Sequence, residues 1–491
     1  MAPGRASFPK PLRWICQALL LGGLIVIISQ SAYVLHTQRP EFGWEKTTPE
    51  PPNGRPSRPH RPNPSSKGTT EPESPPDCHL FPADAFAEDG IQVTLKIGGA
   101  ESQERLRSQV EGATTCIPNL LVVSDMGQEL GPFHSHDVLA DVIHVLSEED
   151  KRAYQQQREY HYYWDKELAP SNAGWRLDRY KFLSMVEYAY AQNPNAKWYV
   201  FMETDTLVLW ENLVQLLARY KWTDPLYIGS PTPGRDLGTW WTPVKTFFVY
   251  GGSGIVLSAT AMDNLLREDR SGSARGGSDQ ESQLLITKYQ DMVREDCCGD
   301  SVLGWVAAQR DVHIAGLWPM FNPNPFHTTP LGRAYWCQPA VSFHKSDPFE
   351  SVELWKWSEK RQADGGDTQR PILYFDLVDY YNFENRPVRE DWKNADHDAF
   401  DSPKHEDHDS FESCQKACRD HSDCLQFTYH QKKCRLVRTI SLGSFAGPDV
   451  GDQSEDGRWM AGWDVESIRK FRKDHACEEV DWPEPSTERI Y

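Results

Sequence analysis

Glu203-Thr204-Asp205-Thr206 follows directly on the apolar run Trp198-Tyr199-Val200-Phe201-Met202. That run reads as a buried strand, so both acids fall at its carboxyl end, where open α/β sheets hold their ligands. Carboxylates there are hard oxygen donors, suited to a divalent cation that bridges a diphosphate. In isolation an exposed acidic turn would look the same. Three further groups bear chemistry: Gly251-Gly252-Ser253-Gly254, the acids Asp296 and Asp300 near Cys297-Cys298, and His344 beside Phe343. Glycines let a backbone approach a sugar closely or adopt positive φ, although ordinary turns use them too. A lone histidine next to a phenylalanine is ordinarily a core or surface residue. Each group needs a partner before it means much.

Elements that could position these residues are legible in the pattern. Ile91 to Ile97 and Asn119 to Ser124 read as short strands, with a polar helix at about Ser102 to Glu111 between them. Trp175 to Gln192 reads as a helix, because Tyr180, Leu183, Val186 and Tyr190 recur at steps of three and four. Asn193-Pro194-Asn195 stops it. Strand, helix, strand with acids at the strand end predicts an α/β fold. Trp240, Trp241, Phe247, Phe248 and Tyr250 precede the glycine loop. They are a sugar-stacking wall or, for at least three of them, core.

The chain has 491 residues, room for two or three domains, and carries 52 Lys plus Arg against 71 Asp plus Glu. A formal charge of −19 argues against broad nucleic-acid binding, which needs a basic footprint. Residues 1–13 hold Arg5, Lys10 and Arg13 and read as a cytoplasmic tail; Trp14 to Leu35 carries no charge. About 20 apolar residues span a bilayer, so 14–35 reads as a signal-anchor with the C-terminus luminal. A cleaved signal peptide competes with that reading. Residues 36–77 contain eleven prolines and almost nothing apolar, the composition of an extended stem. Ten of the eleven cysteines lie beyond the stem, an even count that reads as disulfides in an oxidising lumen. No N-x-[ST] sequon occurs. Anchor, stem and luminal body suit a type II enzyme or a tethered binding protein.

Four motifs taken in order are W-Y-V-F-M-E-T-D-T-L-V (Trp198 to Val208), Y-G-G-S-G-I-V-L-S (Tyr250 to Ser258), D-S-V-L-G (Asp300 to Gly304) and V-S-F-H-K (Val341 to Lys345). The set resembles the β1,3-glycosyltransferases of the fringe and core 1 galactosyltransferase family (glycosyltransferase family 31), over about residues 90 to 350. The resemblance implies a GT-A type, Rossmann-like nucleotide-sugar domain at 78–395. It implies an inverting transfer from a UDP-sugar in the Golgi, most like glycoprotein-N-acetylgalactosamine 3-β-galactosyltransferases. A fringe-like N-acetylglucosaminyltransferase and a catalytically dead, tethered binding protein are the alternatives. Carried over by position, Asp205 and His344 are the implied Mn²⁺ ligands. Glu203 and Thr204 replace the family's first two aspartates at the nucleotide. Lys96, Gly98, Ser124, Asp125 and Lys181 match positions near the donor, and Gly251, Gly252 and Gly254 lie beside donor and acceptor. Asp300 is the implied base, since D-S-V-L-G keeps the family's step to Gly304; Asp296 is the rival.

Asp391 to Ser410 is rich in Asp and His and reads as a solvated linker rather than a metal trap. Next comes Cys414-x3-Cys418-x5-Cys424-x9-Cys434, with Leu425 to Tyr429 as a strand after the third cysteine. A short helix carrying two cysteines and stapled to strands stabilises a small α+β module without much core. It resembles a PAN/apple domain at 396–465, leaving 466–491 as a tail. That resemblance implies pairing of Cys414 with Cys434 and of Cys418 with Cys424. It also implies a module that binds protein or carbohydrate, or merely caps the body.

Overall fold

Every side chain of β1 (Ile91–Lys96) is buried, the mark of a strand covered on both faces. β5 (Trp198–Glu203) runs parallel to it over six residues, from Ile91 against Trp198 to Lys96 against Glu203. β2 (Leu121–Ser124) flanks β1 on its other side, also parallel. In the computed structural model these three form the centre of an eight-stranded mixed sheet. The remaining strands are β3 (Glu129–Leu130), β4 (Phe133–Asp137), β7 (Leu226–Gly229), β12 (Ile255–Ser258) and β13 (His313–Gly316). Their order is β13-β7-β12-β5-β1-β2-β4-β3, with β12 antiparallel to both its neighbours. The structure describes residues 78–163, 172–239, 242–266, 284–364, 370–448 and 457–489. Anchor 14–35, stem 36–77 and the Trp240-Trp241 pair lie outside them. Among the described residues no helix is long and apolar enough to cross a membrane.

The pleat divides β5 between two cores. Tyr199 and Phe201 join Leu183, Val186, Leu257 and Val302 on one face. Trp198, Val200 and Met202 join Val93, Leu95, Leu213 and Met320 on the other. The Gln103–Glu111 helix begins where Ser102 accepts the Arg105 N–H. The Asn172–Gln192 helix contains the expected Tyr180, Leu183, Val186 stripe, all buried. Both helices and the three central strands therefore agree with the pattern read from the residues.

What the pattern did not predict is the second sheet. β6 (Leu207–Val208) pairs antiparallel with β15 (Ser342–Phe343), which also pairs with β14 (Phe321–Asn322). This contact brings His344 beside Asp205 across a long stretch of chain. Farther round, β11 (Phe247–Val249), paired with β8 (Pro231–Pro233), packs on the Gly299–Gln309 helix. The approach is close: a Cβ on Gly304 would lie 2.1 Å from the Cβ of Phe248. The step from Asp300 to Gly304 is thus one helical turn joining an acid to a tight packing point.

The C-terminal module is a five-stranded sheet of β16 (Val388–Glu390), β22 (Met460–Trp463), β19 (Gln426–His430), β20 (Lys433–Val437) and β18 (Ala399–Asp401). The Phe411–Asp420 helix lies on it, stapled by Cys414–Cys434 and Cys418–Cys424, the implied pairs. Further disulfides join Cys78 with Cys116, Cys297 with Cys298, and Cys337 with Cys477. The Asp/His-rich stretch is not a solvated linker. It contains β18, and His408 accepts the Cys434 N–H (3.0 Å) while its other ring nitrogen meets the Ser402 carbonyl (2.9 Å). The imidazole there satisfies backbone groups. Nor does the module stand apart. Trp463 stacks on Phe383 (4.8 Å), Phe383 meets Tyr381 (5.3 Å), Tyr381 meets Phe326 (5.2 Å), and Phe326 meets Phe343 (5.1 Å). Residues 465–474, inside the expected tail, form a helix, and Trp482 beyond it lies under the Arg219 guanidinium at 4.7 Å.

Gly304→Ala should destabilise the protein by about 1–3 kcal/mol, the usual cost of overpacking. Gly332→Ala, whose Cβ would meet only a methyl group at 3.6 Å, is the control and should melt like wild type. Equal melting of both variants would show that the helix has room to move.

Candidate active site

The Glu203-Thr204-Asp205 turn is pinned from two sides. From the Gln103–Glu111 helix, Gln109 donates to the Thr204 carbonyl (2.8 Å). Thr204 Oγ1 donates to Glu101 Oε2 (2.9 Å) just before that helix. From the other side, Thr206 Oγ1 donates to the Gly252 carbonyl (2.8 Å). Ser346 N–H donates to the Asp205 carbonyl (3.1 Å), so the chain just past His344 is tied to the same turn.

Asp205 Oδ1 lies 3.6 Å from His344 Nε2, and both residues are buried. Ligand atoms of Glu203, Asp205 and His344 all fall within 4.8 Å of one another. Burial holds the His344 imidazole below the ordinary histidine range, outweighing the pull of Asp205, so the ring is neutral and keeps a lone pair. Carboxylate oxygen with neutral imidazole is a donor set that first-row divalent cations accept. The residues fit a metal.

Gly252 explains its own identity. A Cβ there would lie 2.3 Å from His344 Nε2. Its neighbour Gly251 donates N–H to Asp300 Oδ2 (2.8 Å), while Ser301 N–H holds Oδ1 (2.9 Å). Burial raises the Asp300 carboxyl above the usual aspartate range, against the two backbone donors that lower it. The Tyr250 ring meets His344 edge-on at 5.2 Å. Gly254 takes φ +88° where the turn enters β12. One glycine turn therefore spans the Asp205–His344 pair and the buried carboxyl. Asp296 lies four residues earlier, before the helix begins, and Arg235 Nε (2.6 Å), Cys298 N–H (3.1 Å) and Ser301 Oγ (3.3 Å) already engage its carboxylate.

The expected donor-side residues form a charge ladder across the ends of β1, β2 and β5. Lys96 pairs with Asp178 and with Glu203 (3.1 Å), and lies 4.6 Å from the Phe182 ring centre. Lys181 pairs with Asp125 (2.9 Å) and Asp178 (3.3 Å) and donates to the Ile97 carbonyl (2.9 Å). Asp125 also accepts from Gly99 N–H and Gln157, each at 2.8 Å. Ser124 Oγ is 3.4 Å from Asp125, and Gly98 closes the β1 turn by accepting the Glu101 N–H. Burial pushes the Glu203 carboxyl up to about 7 despite Lys96. For Asp125, burial is overcome by Lys181 and its hydrogen bonds, and the carboxyl stays low.

Sequence reasoning missed Asp178, Arg105, Arg235 and Gln157. Asp178 was findable, because it precedes Lys181 by three residues on one helical face. The other three carry no such signal.

Residues 149–347 match the family model described as Fringe-like, and residues 390–445 match that of the PAN domain. No curated protein matches the chain. Lys181, Glu203 to Asp205, the glycine turn, Asp300 and His344 all fall within the first stretch, and Lys96 to Asp125 precede it. The chain is thus similar to a Fringe-like domain over residues 149–347 and to a PAN domain over residues 390–445.

Proposed function

We propose that this protein is an inverting, Mn²⁺-dependent β1,3-glycosyltransferase of the Golgi lumen, tethered by residues 14–35 and moving galactose from UDP-galactose to a glycan acceptor. The observation that carries the reading is the single glycine turn with Asp205–His344 on one side and Asp300 on the other. Disulfides and the Fringe-like domain support a luminal, secretory-pathway setting. The PAN domain supports contact with a protein or carbohydrate acceptor.

Asp205 and His344 would hold the cation, which supplies neutralisation of the departing diphosphate. Asp300 removes the proton from the acceptor hydroxyl. That oxygen attacks the anomeric carbon from the face opposite UDP, and the carbon–oxygen bond to UDP breaks with its electron pair. A carboxyl raised by burial is a stronger base than an exposed one, and Gly251 N–H fixes its orientation. Lys96 and Lys181 keep Glu203, Asp178 and Asp125 in register beside the donor.

The deciding experiment incubates purified protein with Mn²⁺, benzyl α-N-acetylgalactosaminide and a series of UDP-sugars, and measures released UDP. Acceptor-dependent release from UDP-galactose is expected. Release only from UDP-N-acetylglucosamine would make it fringe-like, and no release from any donor would make it a tethered binding protein.

Asp205→Ala should abolish Mn²⁺-dependent UDP binding by calorimetry. Retained wild-type affinity would remove Asp205 from the metal site.

Asp300→Asn keeps shape but loses the base, so kcat should fall by about 10²–10⁴-fold. The Kd for Mn–UDP should scarcely move. In wild type the base must be ionised, so activity is lost as pH falls through the Asp300 pKa. That acid limb should lie above the ordinary aspartate range and vanish in the Asn variant. Near-normal turnover by folded Asp300→Asn would move the base elsewhere.

A further inference from the structure

Arg105 appears in none of the motifs, yet it touches the residue at the centre of the site. Its Nη2 lies 3.3 Å from Asp205 Oδ2, while Asp205 Oδ1 faces His344 at 3.6 Å. The carboxylate is therefore shared between an imidazole and a guanidinium. Arg105 has a second anchor in Glu101 Oε1 at 3.5 Å, four residues earlier and just before the helix. Glu101 in turn receives the Thr204 hydroxyl. Arginine, glutamate, threonine and aspartate close a small ring around the acidic turn.

The backbone of this arginine is fixed, and its head group reaches solvent. Ser102 caps the Arg105 N–H, but the side chain is 40% exposed and both its ion pairs are long. A guanidinium so placed neutralises Asp205 from the solvent side. It also stands where a divalent cation on Asp205 would add further positive charge, so the two cations oppose each other. A nucleoside diphosphate changes that balance, because phosphate offers the guanidinium a better, two-pronged partner than one carboxylate oxygen.

We infer that Arg105 is the resident counter-ion of Asp205: it resists a bare divalent cation and turns to the diphosphate when a nucleotide arrives, making metal and nucleotide bind as a pair. The inference rests on the donor site proposed above. Coupling of this kind is reciprocal, so each ligand must strengthen the other by the same factor.

Calorimetry on the full chain with Mn²⁺ alone, UDP alone and both together tests it, in wild type, Arg105→Ala and Arg105→Gln. Exposed or half-exposed ion pairs contribute about 0.2–1 kcal/mol, so Mn²⁺ alone should bind up to about fivefold tighter in both variants. UDP alone should bind more weakly, and the factor by which UDP strengthens Mn²⁺ should shrink. The neutral Gln variant preserves length, so agreement between the two separates charge from packing. Unchanged or weaker Mn²⁺ binding in a folded variant overturns the counter-ion role. Wild-type protein that binds Mn–UDP normally, with the same coupling as the variants, sinks Arg105 alone. Wild-type protein that binds neither Mn²⁺ nor Mn–UDP sinks the donor site and this inference with it.

Discussion

Leu207 and Val208 pair with Phe343 and Ser342 in a two-residue antiparallel contact, and the geometry at the site leans on it. A pairing so short has little strength of its own. Its stability comes from the side chains behind it: Phe343 is fully buried, and burying one such ring contributes about 1.5–3 kcal/mol. Ser342 Oγ also donates to the Ser253 carbonyl (2.5 Å), locking the glycine turn to the same strand. Were β15 to slip by one residue, His344 would change faces and leave Asp205. The Asp205–His344 contact thus depends on register, and register depends on an aromatic core.

That core is where the two family modules meet. The aromatic series from Trp463 to Phe343 ends one residue from His344. Leu331 bridges to Ile440, and Cys337 is bonded to Cys477. The disulfide-stapled module therefore shares apolar surface with the strand that presents the imidazole. Its own small core, built on Phe427, Tyr429 and Leu436, is only part of what holds it in place.

Lys96, Lys181, Asp125, Asp178 and Glu203 place five ionisable groups at the carboxyl ends of three strands. Burying such charges costs more than their attraction returns unless every oxygen and N–H finds a partner. Here Gly99 N–H, Gln157 and the Ile97 carbonyl supply the missing ones. Glu203 and Thr204 are held within this arrangement. The glutamate reaches Lys96, and the threonine hydroxyl reaches Glu101.

The three central strands and the two helices that flank them were legible in the residues alone, whereas β3, β4 and the Glu148–Tyr163 helix were not. A continuous apolar run marked β5 as a buried strand, a three-to-four period marked the Asn172–Gln192 helix, and Asn-Pro-Asn ended it. The acids after β5 were likewise legible, because local pattern fixes which end of a strand carries them. The cysteine spacing implied two of the disulfides through resemblance. Tertiary structure decided the rest. That Asp205 lies near His344, that Gly252 is pressed against the imidazole, and that Asp296 is held by Arg235 while Asp300 turns to Gly251 all follow from contacts between distant segments. Arg105 belongs to a helix whose pattern says only that it is polar, and Gln157 to the Glu148–Tyr163 helix, which the pattern did not reveal. The Asp/His stretch shows the same limit, since its composition resembles a linker and one of its histidines, His408, is held by the backbone of β20. Periodicity reports which face of an element is buried; it carries no record of what that face meets.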